Sequence, residues 1–158
     1  PHVCYEMTAR EGLRLVSALR RLGELDDRIE SYLDRFGLAG DADRRIGTYS
    51  KGMRQKTALI ATVLHDPDVV FLDEPTSGLD PRAARTVRDL IADLAAEDVT
   101  VFLSTHILPV VEELADTVGV LSEGRLLAEG SPEMLRQRVE GGEGSLEDAF
   151  LDITDGWE

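Results

Sequence analysis

The chain has 158 residues, of which 42% are apolar and 30% charged, with a net charge of −14 and a pI near 4.5. That length can bury a domain-sized core, no apolar run approaches the ~20 residues of a membrane-spanning helix, and the single cysteine, Cys4, excludes an internal disulfide and a cysteine-built zinc site. The excess of acids repels phosphate backbones and anionic headgroups, so nucleic acid is not expected as a partner.

Pro1 opens the sequence without an initiator methionine or an apolar leader, which leads us to expect further sequence ahead of it. Thr8 and Glu11 have capping-box spacing, and Leu15, Leu19 and Leu22 recur at helical intervals, so a first helix is predicted from about Ala9 to Leu22. Ile29, Tyr32, Leu33 and Phe36 repeat the pattern in a second helix. It should stop at Gly37, where glycine takes the left-handed cap conformation without a Cβ clash.

Val69 to Leu72 is a continuous apolar run closed by two acids, the pattern of a buried parallel strand, and Val99 to Leu103 is a second. Between them Asp80 is placed to cap a helix that has Pro81 at its first position and Ala84, Val87, Ile91 and Leu94 on its buried stripe. The result is a β-α-β unit. A helix over Leu108–Ala115 then leads to a strand at Thr117–Leu121, and Ser122–Arg125 reads as a hairpin turn into Leu126–Ala128. Ser131 and Pro132 start another helix. Gly141, Gly142 and Gly144 make a break before a short amphipathic helix over Ser145–Ile153.

Asp73 and Glu74 close the first strand, and open α/β sheets bind their ligands beyond the carboxyl ends of their strands. The first carboxylate suits a hard cation such as Mg²⁺ and the second an activated water. An acid pair at a strand end also serves as a solvated terminus, and taken alone the pair leaves both readings open.

Upstream lies Tyr49-Ser50-Lys51-Gly52-Met53-Arg54-Gln55; downstream lie Pro75-Thr76-Ser77-Gly78-Leu79-Asp80 and Ser104-Thr105-His106. In this order the segments resemble the signature motif, Walker B strand, D-loop and switch histidine of the ATP-binding cassette (ABC) ATPases. The resemblance extends over nearly the whole chain, and Ser50-Lys51-Gly52-Met53 with the tail Ser145–Phe150 is most similar to ATPases of exporters for drugs, lipids or polysaccharides.

The resemblance implies an α/β fold of the P-loop NTPase type, in part: a helical subdomain over residues 1–48, a core over 49–140 and a tail helix over 141–158. It implies ATP and Mg²⁺ as cofactors, with Asp73 as the magnesium carboxylate, Glu74 as general base and His106 holding the γ-phosphate and the water in line. Ser50, Lys51, Gly52, Met53 and Asp80 would meet the nucleotide held by a second ATPase subunit. Ser50 as helix N-cap and Gly52 as a point of close backbone approach suit an anion at a helix start. The resemblance further implies an ATP-dependent dimer and a membrane-embedded permease partner at the cytoplasmic face of the cell membrane. Lys51 stands where glycine is commonest in the family, and reads either as an added positive charge or as an exposed lysine.

The phosphate-binding pattern G-x-x-x-x-G-K-[ST] does not occur, since neither Lys51 nor Lys56 completes it, and the family's Q-loop glutamine is missing too. A sheet lacking its central strand keeps open edges and an uncovered apolar face, so residues 1–158 in isolation are expected to fold poorly or to depend on a partner. Two other readings remain: a non-catalytic interaction module, and a cassette ATPase outside transport. His65, His2 and Cys4 read as structural or surface residues.

Overall fold

The computed structural model describes residues 5–138 and 144–155, and the chain divides into two compact units, Pro1–Ser104 and Thr105–Glu158. His2, Cys4, Gly141 and Gly142 lie outside the described residues.

In the first unit, α1 (Ala9–Leu19) begins on the predicted capping box: the Thr8 amide donates to Glu11 Oε2 at 2.9 Å and the Glu11 amide to Thr8 Oγ1 at 3.2 Å. It ends three residues earlier than the leucine spacing predicts. Arg21 turns left-handed at φ 58°, its amide reaches Ala18 O at 3.1 Å, and the Leu22 amide reaches Ser17 O at 3.1 Å. That double bond is a Schellman cap, so Leu22 lies beyond the helix. The helix α2 (Asp26–Arg35) closes in the same way on Gly37, at φ 64°, with Leu38 N to Leu33 O at 2.7 Å.

Both helices pack against each other and against α3 (Lys51–Val63), burying Leu13, Ile29, Leu33, Phe36, Ile60 and Leu64 almost completely. Each such side chain contributes about 1.5–3 kcal/mol relative to exposure. The ion pairs along the rim, such as Arg14 with Asp26, are exposed and add little by comparison.

The strands β1 (Val69–Asp73) and β2 (Thr100–Ser104) pair in parallel, Val69 opposite Thr100 and Asp73 opposite Ser104, and α4 (Pro81–Ala96) connects them and packs on β2. The predicted β-α-β unit is present. β2 starts at Thr100 rather than Val99 because α4 also ends in a Schellman cap: Asp98 is left-handed at φ 63° and the Val99 amide bonds Leu94 O at 3.0 Å.

Val70 and Leu72 are buried, as are Val87, Leu90, Ile91 and Leu94 of α4. On the opposite face of the strands Phe71 and Phe102 are 74% and 56% exposed, stacked with ring centroids 4.9 Å apart. The unbroken apolar run of β1 is the pattern of a strand covered on both faces, and here one face lies open.

In the second unit, α5 (Leu108–Leu114), the hairpin of β3 (Val118–Ser122) and β4 (Arg125–Gly130), α6 (Pro132–Arg136) and α7 (Leu146–Asp155) enclose Val120, Ala128, Leu135, Leu146 and Ala149. Glu123 and Gly124 have φ of 49° and 76°, two successive left-handed residues that make the primed turn favoured in two-residue hairpins. α7 is capped reciprocally, Ser145 Oγ accepting from the Asp148 amide at 3.1 Å while Asp148 Oδ2 accepts from the Ser145 amide at 2.8 Å.

Candidate functional site

The register of β1 and β2 sets Asp73 and Ser104 side by side at the carboxyl ends of both strands. The Ser104 hydroxyl donates to Asp73 Oδ1, which fixes the exposed carboxylate at the strand end. One residue on, the Glu74 amide donates to Ser104 O at 3.0 Å, and the backbone then leaves the sheet with Glu74 at φ 46°. A left-handed non-glycine residue costs about 1–3 kcal/mol and persists only where its surroundings hold it. Pro75 adds to that, because a residue before proline is steered toward extended backbone.

The loop from Glu74 to Asp80 is tightly bonded. The Ser77 amide donates to Glu74 O at 3.1 Å and the Leu79 amide to Thr76 O at 3.3 Å, while Gly78 supplies a left-handed turn at φ 72°. Asp80 ends it as the N-cap of α4, its Oδ1 accepting from the Ala83 amide at 3.0 Å and the Arg82 amide at 3.1 Å. The Ala83 amide, then that of Arg82, holds the Asp80 carboxyl below its usual range by bonding the charged form.

The start of α3 faces this loop. Ser50 is the N-cap, accepting from the Met53 amide at 3.2 Å, so the first turn presents a positive helix end. A Cβ at Gly52 would stand 3.3 Å from Leu79 Cδ2, and one at Gly78 would stand 3.5 Å from Lys51 Nζ. Backbone and side chains of the two segments are thus in contact at glycines. One turn further, Gln55 Nε2 donates to Pro75 O at 2.8 Å and Glu74 O at 3.3 Å. The first unit therefore gathers Ser50, Lys51, Gly52, Met53, Asp73, Glu74 and Asp80, while His106 follows β2 as an exposed loop residue of the second unit. The Thr105 hydroxyl shapes that loop by accepting from the Ile107 amide at 3.1 Å.

A family model described as an AAA domain, whose description also names the AbiEii toxin and type IV TA systems, matches residues 8–112. The fluoroquinolones export ATP-binding protein of Mycobacterium tuberculosis (strain CDC 1551 / Oshkosh) is 40% identical over 136 residues, 86% of this chain and 44% of that protein. ABC transporter ATP-binding protein NatA of Bacillus subtilis is 40% identical over 131 residues, 82% of this chain and 53% of that one. A solved structure titled "Structure of ATP binding subunit of ABC transporter" superimposes with a TM-score of 0.89 at 30% identity, over 98% of this chain and 65% of its own. The chain belongs to the ABC ATPases.

That membership accounts for the α/β architecture expected from the motifs. The chain spans about half the length, or less, of the curated ABC relatives it matches. Two contacts in the candidate site were not legible in the motifs. Ser104 was only a neighbour of His106 in the sequence, and its bond to Asp73 follows from strand register. Gln55 was only the end of the signature segment, and its bonds to the Glu74 loop follow from where α3 crosses that loop.

Proposed function

We propose that this chain carries the signature, magnesium and base residues of the ATP-hydrolysing subunit of an exporter. The subunit works as an ATP-driven dimer on a membrane-embedded permease, at the cytoplasmic face of the cell membrane. The observation that carries the proposal is the placement of Asp73 and Glu74, in succession, at the carboxyl end of a parallel strand, with Gln55 of the helix that Ser50 caps donating to the Glu74 carbonyl at 3.3 Å. Relatives named as export ATP-binding proteins support the direction of transport.

Asp73 fits a magnesium ion: it offers hard oxygen donors and is held by the Ser104 hydroxyl. Among the described residues no group of three or more His, Cys, Asp or Glu gathers as a metal cage, so phosphate and water oxygens would fill the rest of the shell, as Mg²⁺ favours. When bound, the ion neutralises charge that develops on the phosphates.

Glu74 takes the proton of the attacking water and His106 holds the γ-phosphate in line. Ser50 and the first-turn amides around Gly52 receive the γ-phosphate of the nucleotide on the second subunit, and Lys51 adds positive charge there. Asp80 keeps the loop between the two sites in place by capping α4.

The test uses the full-length protein with its permease. Glu74→Gln should lower steady-state ATP hydrolysis by about 10²–10⁴-fold while nucleotide affinity stays within about twofold. Undiminished turnover in that variant would remove Glu74 from the role.

A further inference from the structure

Gln55 bonds the one part of the site whose backbone is strained. Its Nε2 lies 2.8 Å from Pro75 O and 3.3 Å from Glu74 O, and both neighbours are carbonyl acceptors. Only the amide nitrogen can face two such groups, so the chemistry fixes the side-chain orientation. Glu74 itself is left-handed at φ 46°, ahead of a proline. Two backbone bonds act on it from the sheet and the loop, Glu74 N to Ser104 O and Ser77 N to Glu74 O. Neither involves the Pro75 carbonyl, and Gln55 Nε2 of α3 donates to the carbonyls on both sides of Pro75.

We propose that Gln55 is a positioning residue that pins the backbone around Glu74 and ties the direction of the Glu74 carboxylate to the helix that begins at Ser50. The inference rests on Glu74 acting as the base. Gln55 and the Ser50 cap share one helix, about one and a half turns apart, so a shift of that helix start on engaging phosphate is delivered through the Gln55 amide to the peptide that aims Glu74. The consequence is directional: loss of the Gln55 donor impairs the chemical step and spares nucleotide binding.

Gln55→Met keeps length and bulk and removes the donor. In the full-length protein with its permease, kcat per folded molecule should fall about 10- to 100-fold, with the KM for ATP within about twofold, because a base displaced by a fraction of an ångström loses the in-line geometry. Gln55→Asn, which keeps the amide on a shorter stem, should retain more activity than Gln55→Met. In a Glu74→Gln background, Gln55→Met should change the residual rate less than about threefold, since a positioning residue has nothing left to position.

An unchanged kcat for Gln55→Met, in a protein that Glu74→Gln inactivates, overturns the inference and leaves the base assignment standing. Activity that falls only in proportion to the folded fraction, for both Gln55 variants, also overturns it. Full turnover in Glu74→Gln instead overturns the base assignment itself.

Discussion

The Ser104 hydroxyl is hydrogen-bonded to Asp73 Oδ1 across the paired ends of β1 and β2. A carboxylate oriented in this way meets a metal without first giving up rotamer freedom, and groups that orient a metal ligand typically account for about 10–100-fold in affinity. Ser104→Ala should therefore raise the Mg²⁺ concentration needed for half-maximal ATP hydrolysis by about tenfold, with the rate at saturating Mg²⁺ much less affected. Titration of hydrolysis with Mg²⁺ in the full-length protein checks this, and an unshifted titration would sever Ser104 from the metal.

Arg21 occupies the left-handed cap of α1 at φ 58°, a conformation that glycine adopts freely and arginine does not. Arg21→Gly should stabilise the protein by about 0.5–1 kcal/mol, seen as a higher urea midpoint with an unchanged slope. A lower midpoint would mean that the arginine side chain outweighs its backbone cost.

Asp80 caps α4 as a charged group, and its folded pKa lies below the ordinary value of 3.8. A depressed carboxyl contributes stability above its unfolded pKa and loses it as the pH falls below about 4 toward the folded value. Asp80→Asn keeps a capping oxygen and should flatten that acid limb of the melting-temperature profile; Asp80→Ala should lower the melting temperature at neutral pH as well. Identical acid limbs for wild type and Asp80→Asn would assign the loss to other carboxylates.

Phe71 and Phe102 stack on an open sheet face beside Val69, which is 46% exposed. Residues 1–158 produced in isolation should bind a hydrophobic dye and self-associate, and Phe71→Ser with Phe102→Ser should reduce both, read by light scattering. A monomeric isolated chain with a cooperative melt would show that this face needs no cover.

How much of the molecule could be read from its residues depends on what carried the signal. Gly37 announced the end of α2 because glycine is the usual left-handed cap, whereas Arg21 and Asp98 perform the same turn without a glycine, and so Leu22 and Val99 were assigned to a helix and a strand that they only adjoin. The Thr8–Glu11 capping box, the Ser50 and Asp80 caps and the Glu123–Gly124 turn were local and legible. The motif residues proposed for the site rest on the same kind of local signal. Their supports were not: Ser104 is 31 residues from Asp73 and Gln55 is 19 from Glu74, and no local pattern encodes such a meeting.

The contacts at Gly52 and Gly78 bear on how this domain can be re-engineered. Leu79 comes within 3.3 Å of where a side chain would begin at residue 52, and the Lys51 ammonium lies 3.5 Å from the same position on residue 78. A signature segment grafted from another ATPase would bring its own residue at 51 against a turn shaped around this lysine. Residues 50–55 and 74–80 should thus be exchanged together in chimeras, since each segment serves as the mould of the other.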